Sequence, residues 1–200
     1  MNFLAHFLLS ADDEELRLGN LLGDVVKGRV ERYAHPGATD RMRTGIRLHR
    51  AIDSYSDAHP VVRRSKRRIA ARYGRLSGVI VDVYYDHVLA REWVVHGEGV
   101  LAAFAADVYR TLRRNLDRLP ADVHPLVHAM TRGDWLTRYA DIRHIAGALR
   151  GMSRRTPVAA GIGTAAEELA RDYDDVATDF AEFFPELRAH CETFLAAAPR

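Results

Sequence analysis

Asp82 and Asp86 stand one helical turn apart in Val79-Ile80-Val81-Asp82-Val83-Tyr84-Tyr85-Asp86-His87-Val88-Leu89, a stretch otherwise apolar enough to be buried. Residues four apart lie almost directly above one another on a helix, so the two carboxylates share a face. Ionised carboxylates are costly to bury unless a cation or hydrogen-bond donors compensate them. A second pair repeats the arrangement: His49 and Asp53, also at i and i+4, flank Arg50-Ala51-Ile52. Taken singly, His49 with Asp53 reads as an intrahelical ion pair and Asp82 as the partner of an arginine, but two such pairs together ask for a shared cation. A divalent metal ion answers that need.

The rest of the chain sets the frame. Its 200 residues are about the size of one domain, read here as residues 1–200, and suffice for an apolar core without staples. A content of 48% hydrophobic and 28% charged residues is that of an ordinary soluble protein. Helical spacing recurs at about 2–10, 15–30, 40–55, 60–73, 79–96, 100–119, 123–131, 135–150 and 164–197. Thr39 or Asp40 caps the third of these segments, Pro60 opens the fourth and Pro185 interrupts the last. The expectation is an all-α, compact bundle of about eight to ten helices. Cys191 is the lone cysteine, which excludes an internal disulfide and a cysteine-based zinc site and fits a reducing cytoplasm. No apolar run approaches the ~20 residues of a membrane span. Residues 1–9 are apolar but carry His6 and no basic flank, so they read as a buried first helix rather than a signal peptide.

Asp24 adds a further acid, directly after the glycine-flanked Gly19-Asn20-Leu21-Leu22-Gly23. His6 sits among Phe3, Leu4, Phe7 and Leu8, where a lone histidine is commonly a satisfied core residue. Asp57 and His59 flank the turn before Pro60, a place for helix caps. His6, Asp57 and His59 therefore rank behind Asp24, His49, Asp53, Asp82, Asp86 and His87. That leading set supplies four carboxylates and two imidazoles, a mixture that suits Mn²⁺, Fe²⁺ or Mg²⁺ better than structural zinc. Neighbours on a helix diverge by about 100°, so of Asp86 and His87 one ligates while the other meets substrate or a supporting partner. The net charge is only +2, but Arg63-Arg64-Ser65-Lys66-Arg67-Arg68 concentrates it. Such a run is most often a solvated helix face, and the functional alternative is the docking of an anionic partner. No RNA-binding aromatic motif, zinc finger or glycine-rich phosphate loop accompanies it, which argues against nucleic acid.

Several motifs occur in a fixed order: Met1-Asn2-Phe3-Leu4-Ala5-His6, then Gly19 to Asp24, then Gly45-Ile46 with His49-Arg50-Ala51-Ile52-Asp53. Asp82 to Ala90 with Trp93 follows, then Trp135-Leu136 with Tyr139, then Gly151-Met152-Ser153-Arg154-Arg155. Together they resemble the acyl carrier protein phosphodiesterase family over residues 1 to about 157. The resemblance implies a helical fold distantly akin to the His-Asp metal-dependent phosphohydrolases. It implies hydrolysis of the phosphodiester joining 4′-phosphopantetheine to a serine of holo-acyl carrier protein, with a divalent cation, preferably Mn²⁺. Carried onto this chain, it makes Asp24, His49, Asp82, Asp86 and His87 metal ligands, with Asp24, Asp53 and His87 in catalytic roles. Acyl carrier proteins are strongly acidic helical bundles, so Arg63, Arg64, Lys66, Arg67 and Arg68 would steer one in. Two other classes fit the residues alone. One is a phosphohydrolase of a small nucleotide or other small phosphodiester, with a pocket closed around its ligand. The other is a carrier-protein-binding module without turnover.

Overall fold

The computed structural model describes residues 1–155 and 161–198, with the side chain of Arg155 outside the described set. All regular structure among them is helical. α1 (Phe3–Leu8), α2 (Glu14–Leu22), α3 (Asp40–Ala58), α4 (Pro60–Tyr73) and α5 (Ser77–Arg91) make up the first half. α6 (Trp93–His96), α7 (Leu101–Arg114), α8 (His124–Arg132), α9 (Trp135–Arg138), α10 (Ile142–Arg155), α11 (Ala165–Arg171) and α12 (Tyr173–Ala197) complete it. No described helix is long and apolar enough to cross a membrane.

α5 forms the axis of the bundle. Eleven of its residues are buried, and α1, α4, α10 and α12 all pack on it. A helix so largely apolar belongs inside, and its opening to solvent is confined to Gly78, Val79 and Asp82 near its start and Arg91 at its end. α2 and α3 lie closer still. A Cβ on Gly19 would come within 2.0 Å of the Met42 carbonyl oxygen, and one on Gly45 within 2.5 Å of the Leu16 carbonyl, so only glycine fits at either position. Leu48 and Ile52 of α3 are fully buried beside this contact, each stabilising the fold by roughly 1.5–3 kcal/mol. The caps follow the sequence: Asp13 accepts from Leu16 N–H, Thr39 accepts from Met42 N–H, and Pro60 takes the first turn of α4.

Several expected helices differ. The segment expected to run to residue 30 ends at Leu22, and a turn-rich loop containing the 3₁₀ turn Val30–Arg32 leads to α3. The segment expected over 79–96 breaks at Glu92, adding the four-residue α6; that over 135–150 divides into α9 and α10, and that over 164–197 into α11 and α12 at Asp172. Pro185 interrupts nothing: α12 continues through it for 25 residues. Pro185 is exposed, while Phe180, Phe183, Phe184 and Leu187 around it are buried. The missing hydrogen bond thus falls on the water side, and the packed face keeps the helix going.

α4 is bound to α12 through charge. Arg64 Nε donates to Asp179 Oδ1 at 2.7 Å, Arg68 Nε to Asp179 Oδ2 at 3.3 Å and Ser65 Oγ to the same oxygen at 2.6 Å. Asp179 is only 1% exposed, so the two guanidiniums compensate a buried carboxylate. Two of the five cations of the run thus have ion-pair partners inside the fold. Arg64 and Arg68 are occupied within the fold.

Candidate metal centre

Two imidazoles meet where α1, α2 and α3 converge. The rings of His6 and His49 stack with centroids 4.1 Å apart and planes 18° from parallel. Asn20 of α2 sets both. Its Nδ2 donates to the His6 carbonyl at 2.8 Å and to Ser10 Oγ at 2.9 Å, which fixes the amide orientation and leaves Oδ1 facing the rings. His6 Nδ1–H and His49 Nδ1–H donate to that oxygen at 2.8 and 3.2 Å. Both Nε2 atoms therefore point the other way, a tautomer assignment that follows from the acceptor. The His49 ring rests directly on Gly23, where a Cβ would lie 2.1 Å from its Cγ.

Carboxylates wait on the Nε2 side. Asp53, one turn along α3, lies 3.1 Å from His49 Nε2 and 3.3 Å from His6 Nε2. Asp24, just past the end of α2, lies 3.4 Å from His49 Nε2. Burial lowers the His49 pKa, but hydrogen bonds to Asp24 and Asp53 outweigh it and push the imidazole up to about 9. Burial holds His6 below the ordinary imidazole value despite Asp53. Burial would raise Asp53, yet His49 and His6 keep it well below the usual carboxylate range. The His49 hydrogen bond likewise lowers Asp24.

This donor set fits a divalent cation. One ligand atom each from His6, His49 and Asp53 lies within 4.8 Å of the others. His6 Nε2 is buried without a hydrogen-bond partner among the described residues, so its neutral lone pair faces the ionised Asp53 carboxylate at 3.3 Å, with the Met1 amino group 3.9 Å from the same oxygen. A metal ion held here would satisfy all three at once, with Asn20 as the outer partner that orients both imidazoles. A cavity of about 260 Å³ opens beside them, lined by Asp24, His49, Asp53, Asp57, Asp82 and Met152 among others.

The other expected residues fall elsewhere. Asp82 reaches the cavity, where the Met1 amino group donates to it at 2.9 Å. Asp86 is fully buried beneath α1 and accepts from the N–H groups of Asn2 at 3.3 Å, Leu4 at 2.7 Å and Ala5 at 3.3 Å. It therefore caps the start of α1, its oxygens spent on backbone donors. His87, also fully buried, turns to another face of α5, donates through Nδ1 to the Tyr139 carbonyl at 2.6 Å and meets Tyr173 edge-on. The convergence expected of all six leading residues thus holds for Asp24, His49, Asp53 and Asp82. Asp86 reaches the site only as the support of α1, and His87 faces away. His59 accepts from Val61 N–H at the head of α4 and contacts Glu186 at 3.3 Å. Asp57 sits at the cavity edge, 2.6 Å from Lys66 Nζ. His6 moves from a secondary place to the centre. Asn20 carried no role in the sequence reading, because only the fold reveals one amide serving two distant histidines.

A family model described as acyl carrier protein phosphodiesterase matches residues 1–187. The chain is 32% identical over 195 residues to an acyl carrier protein phosphodiesterase of Pectobacterium atrosepticum, covering 96% of this chain and 98% of that relative. One from Photorhabdus laumondii is 31% identical over 193 residues, 96% of each chain. One from Escherichia coli is 31% identical over 190 residues, 94% of this chain and 96% of the relative. No solved structure matches the chain.

Proposed function

This chain belongs to the acyl carrier protein phosphodiesterase family, and from that membership we propose that it hydrolyses the 4′-phosphopantetheine arm from holo-acyl carrier protein in the cytoplasm. Water attacks the phosphorus, the bond to the serine oxygen breaks, and apo-carrier protein and free phosphopantetheine result. The observation that carries the reading is the pair of imidazoles held by Asn20 with both Nε2 atoms turned onto Asp53. His6, His49 and Asp53 would hold a divalent ion, Mn²⁺ by preference, with Asp24 beside them. When bound, such an ion supplies positive charge at a non-bridging phosphoryl oxygen and a water of lowered pKa. Asp24, the more exposed of the two acids at 69% against 43% for Asp53, stands on the open side, where a carboxylate can take a proton from incoming water. Asp82 and Asp57 line the approach.

The test is incubation with holo-acyl carrier protein and Mn²⁺, followed by mass measurement of the carrier. Loss of the phosphopantetheine arm is expected, stopped by a chelator and restored by added Mn²⁺. A carrier that keeps its arm overturns the reading.

Metal affinity should also depend on pH in a defined way. With His6 neutral and both carboxylates ionised, only the proton on His49 has to leave. Mn²⁺ affinity measured by calorimetry should rise about tenfold per pH unit from neutral pH until it levels off near the His49 pKa of about 9. In the metal-free protein the sign reverses. The folded pKa of His49 lies above its unfolded value, so its stabilising contribution is full below about pH 6.5 and fades as pH rises through about 9. A pH-independent affinity removes His49 from the ligand set.

A further inference from the structure

With Arg64 and Arg68 committed to α12, the remaining cations of α4 take on a clearer shape. Arg63, Lys66 and Arg67 line a cleft of about 680 Å³ together with Arg75, a residue outside the basic run. Arg75 arrives there because α4 ends at Gly74 in the left-handed region, φ +53°, and the chain turns back through the 3₁₀ turn Gly74–Leu76. The cleft shares Asp57, Val79 and Asp82 with the cavity at the metal centre, so the two openings are continuous. Lys66 is paired with Asp57 at 2.6 Å. Arg67 and Arg75 are exposed and have no ion-pair partner among the described residues. Val79, at the junction, is one of the few large apolar side chains left open to solvent, 46% exposed.

We infer that this trough, with Arg67 and Arg75 as its free cations and Val79 as its apolar contact, seats the acidic helical surface around the modified serine of the protein substrate. The inference rests on the reading of the chain as a carrier-protein hydrolase and deepens it by naming what selects the substrate. The chemistry points to an acidic helix rather than to a small phosphodiester. The cleft is wide and open, its charges are spread along a rim instead of converging on one point, and an apolar contact stands among them. A rim of this kind acts mainly on encounter and on substrate association. The metal centre lies at its inner end, where the phosphodiester of a seated carrier would reach it.

Two charge-matched variants separate this trough from the general charge of the protein. Arg67→Glu with Arg75→Glu reverses the rim, and Arg113→Glu with Arg132→Glu reverses two exposed arginines on α7 and α8. Binding of apo-carrier protein is measured directly by titration, so the result does not depend on turnover. KM and kcat for holo-carrier protein are measured alongside. The rim variant should bind apo-carrier protein about tenfold more weakly and show a KM raised about tenfold with kcat within about twofold of wild type. Wild-type binding should weaken as salt rises, and the rim variant should lose most of that dependence. The α7–α8 variant should bind within about twofold of wild type. Equal binding by the rim variant and wild type, or equal losses in both variants, overturns the inference. Wild-type binding without hydrolysis would instead overturn the proposed activity and leave the trough standing.

Discussion

Asp53→Ala is expected to lower hydrolysis of holo-acyl carrier protein by a factor on the order of 10³ or more, with the helical content intact. Asp53 is the carboxylate that faces the Nε2 atoms of both imidazoles, at 3.1 Å from His49 and 3.3 Å from His6. Its removal takes away a ligand atom and the negative charge that offsets a cation at this spot. The helices should persist, since the side chain is 43% exposed, but the buried His6 and His49 lose their shared anionic partner. Calorimetry should show Mn²⁺ affinity falling with activity, and the metal-free protein should lose stability at neutral pH, where the protonated His49 is left without Asp53. Asp53→Asn keeps the shape and one acceptor but not the charge, so it should recover stability without recovering turnover. Near-normal turnover in Asp53→Ala would sink the assignment of this site.

Asp86→Ala should act on a different quantity. Its carboxylate serves three backbone N–H groups at the start of α1, all in or next to the buried core. Leaving them without an acceptor should cost about 3 kcal/mol, a drop in Tm of roughly 6–12 °C for a chain of this size. Activity would be lost with α1, because His6 rides on it, and not through any missing chemistry. Titration supplies a second check. Burial pushes Asp86 up to about 7 against the Met1 amino group and the α1 donors. The folded state therefore holds a proton that the unfolded chain has already released above about pH 4, and stability falls as pH rises from about 4 to 7. Asp86→Asn removes that slope, so the stability gap between it and wild type should change across this window and stay constant above it. A Tm for Asp86→Ala equal to that of wild type would show that α1 is held by something else.

The helices were legible because their apolar spacing, Thr39 cap and Pro60 start are local signals. The His49–Asp53 pair was legible for the same reason, as i+4 spacing on α3 places both side chains in one direction whatever surrounds them. Asp82 and Asp86 show the limit of that rule. Spacing gave them a common face, but their partners, the Met1 amino group and the N–H groups of α1, lie more than 80 residues away in sequence. His87 had only a neighbour's spacing to recommend it, and the turn of about 100° per residue carried it to the Tyr139 carbonyl. The basic run could not reveal that Asp179 would be buried opposite Arg64 and Arg68. Nor could it include Arg75, which joins the rim only after a left-handed glycine turn.

The cap on α1 also orders events in time. A helix of six residues does not persist alone in water, and the bonds that stabilise it span 81 to 84 residues. Contacts of that sequence separation close late, after the intervening chain has been gathered. His6 can stack on His49 only once α5 has docked and Asp86 is in position. On refolding, then, the circular dichroism signal of the helices is expected to return ahead of activity, and simultaneous recovery would show that α1 docks with the rest.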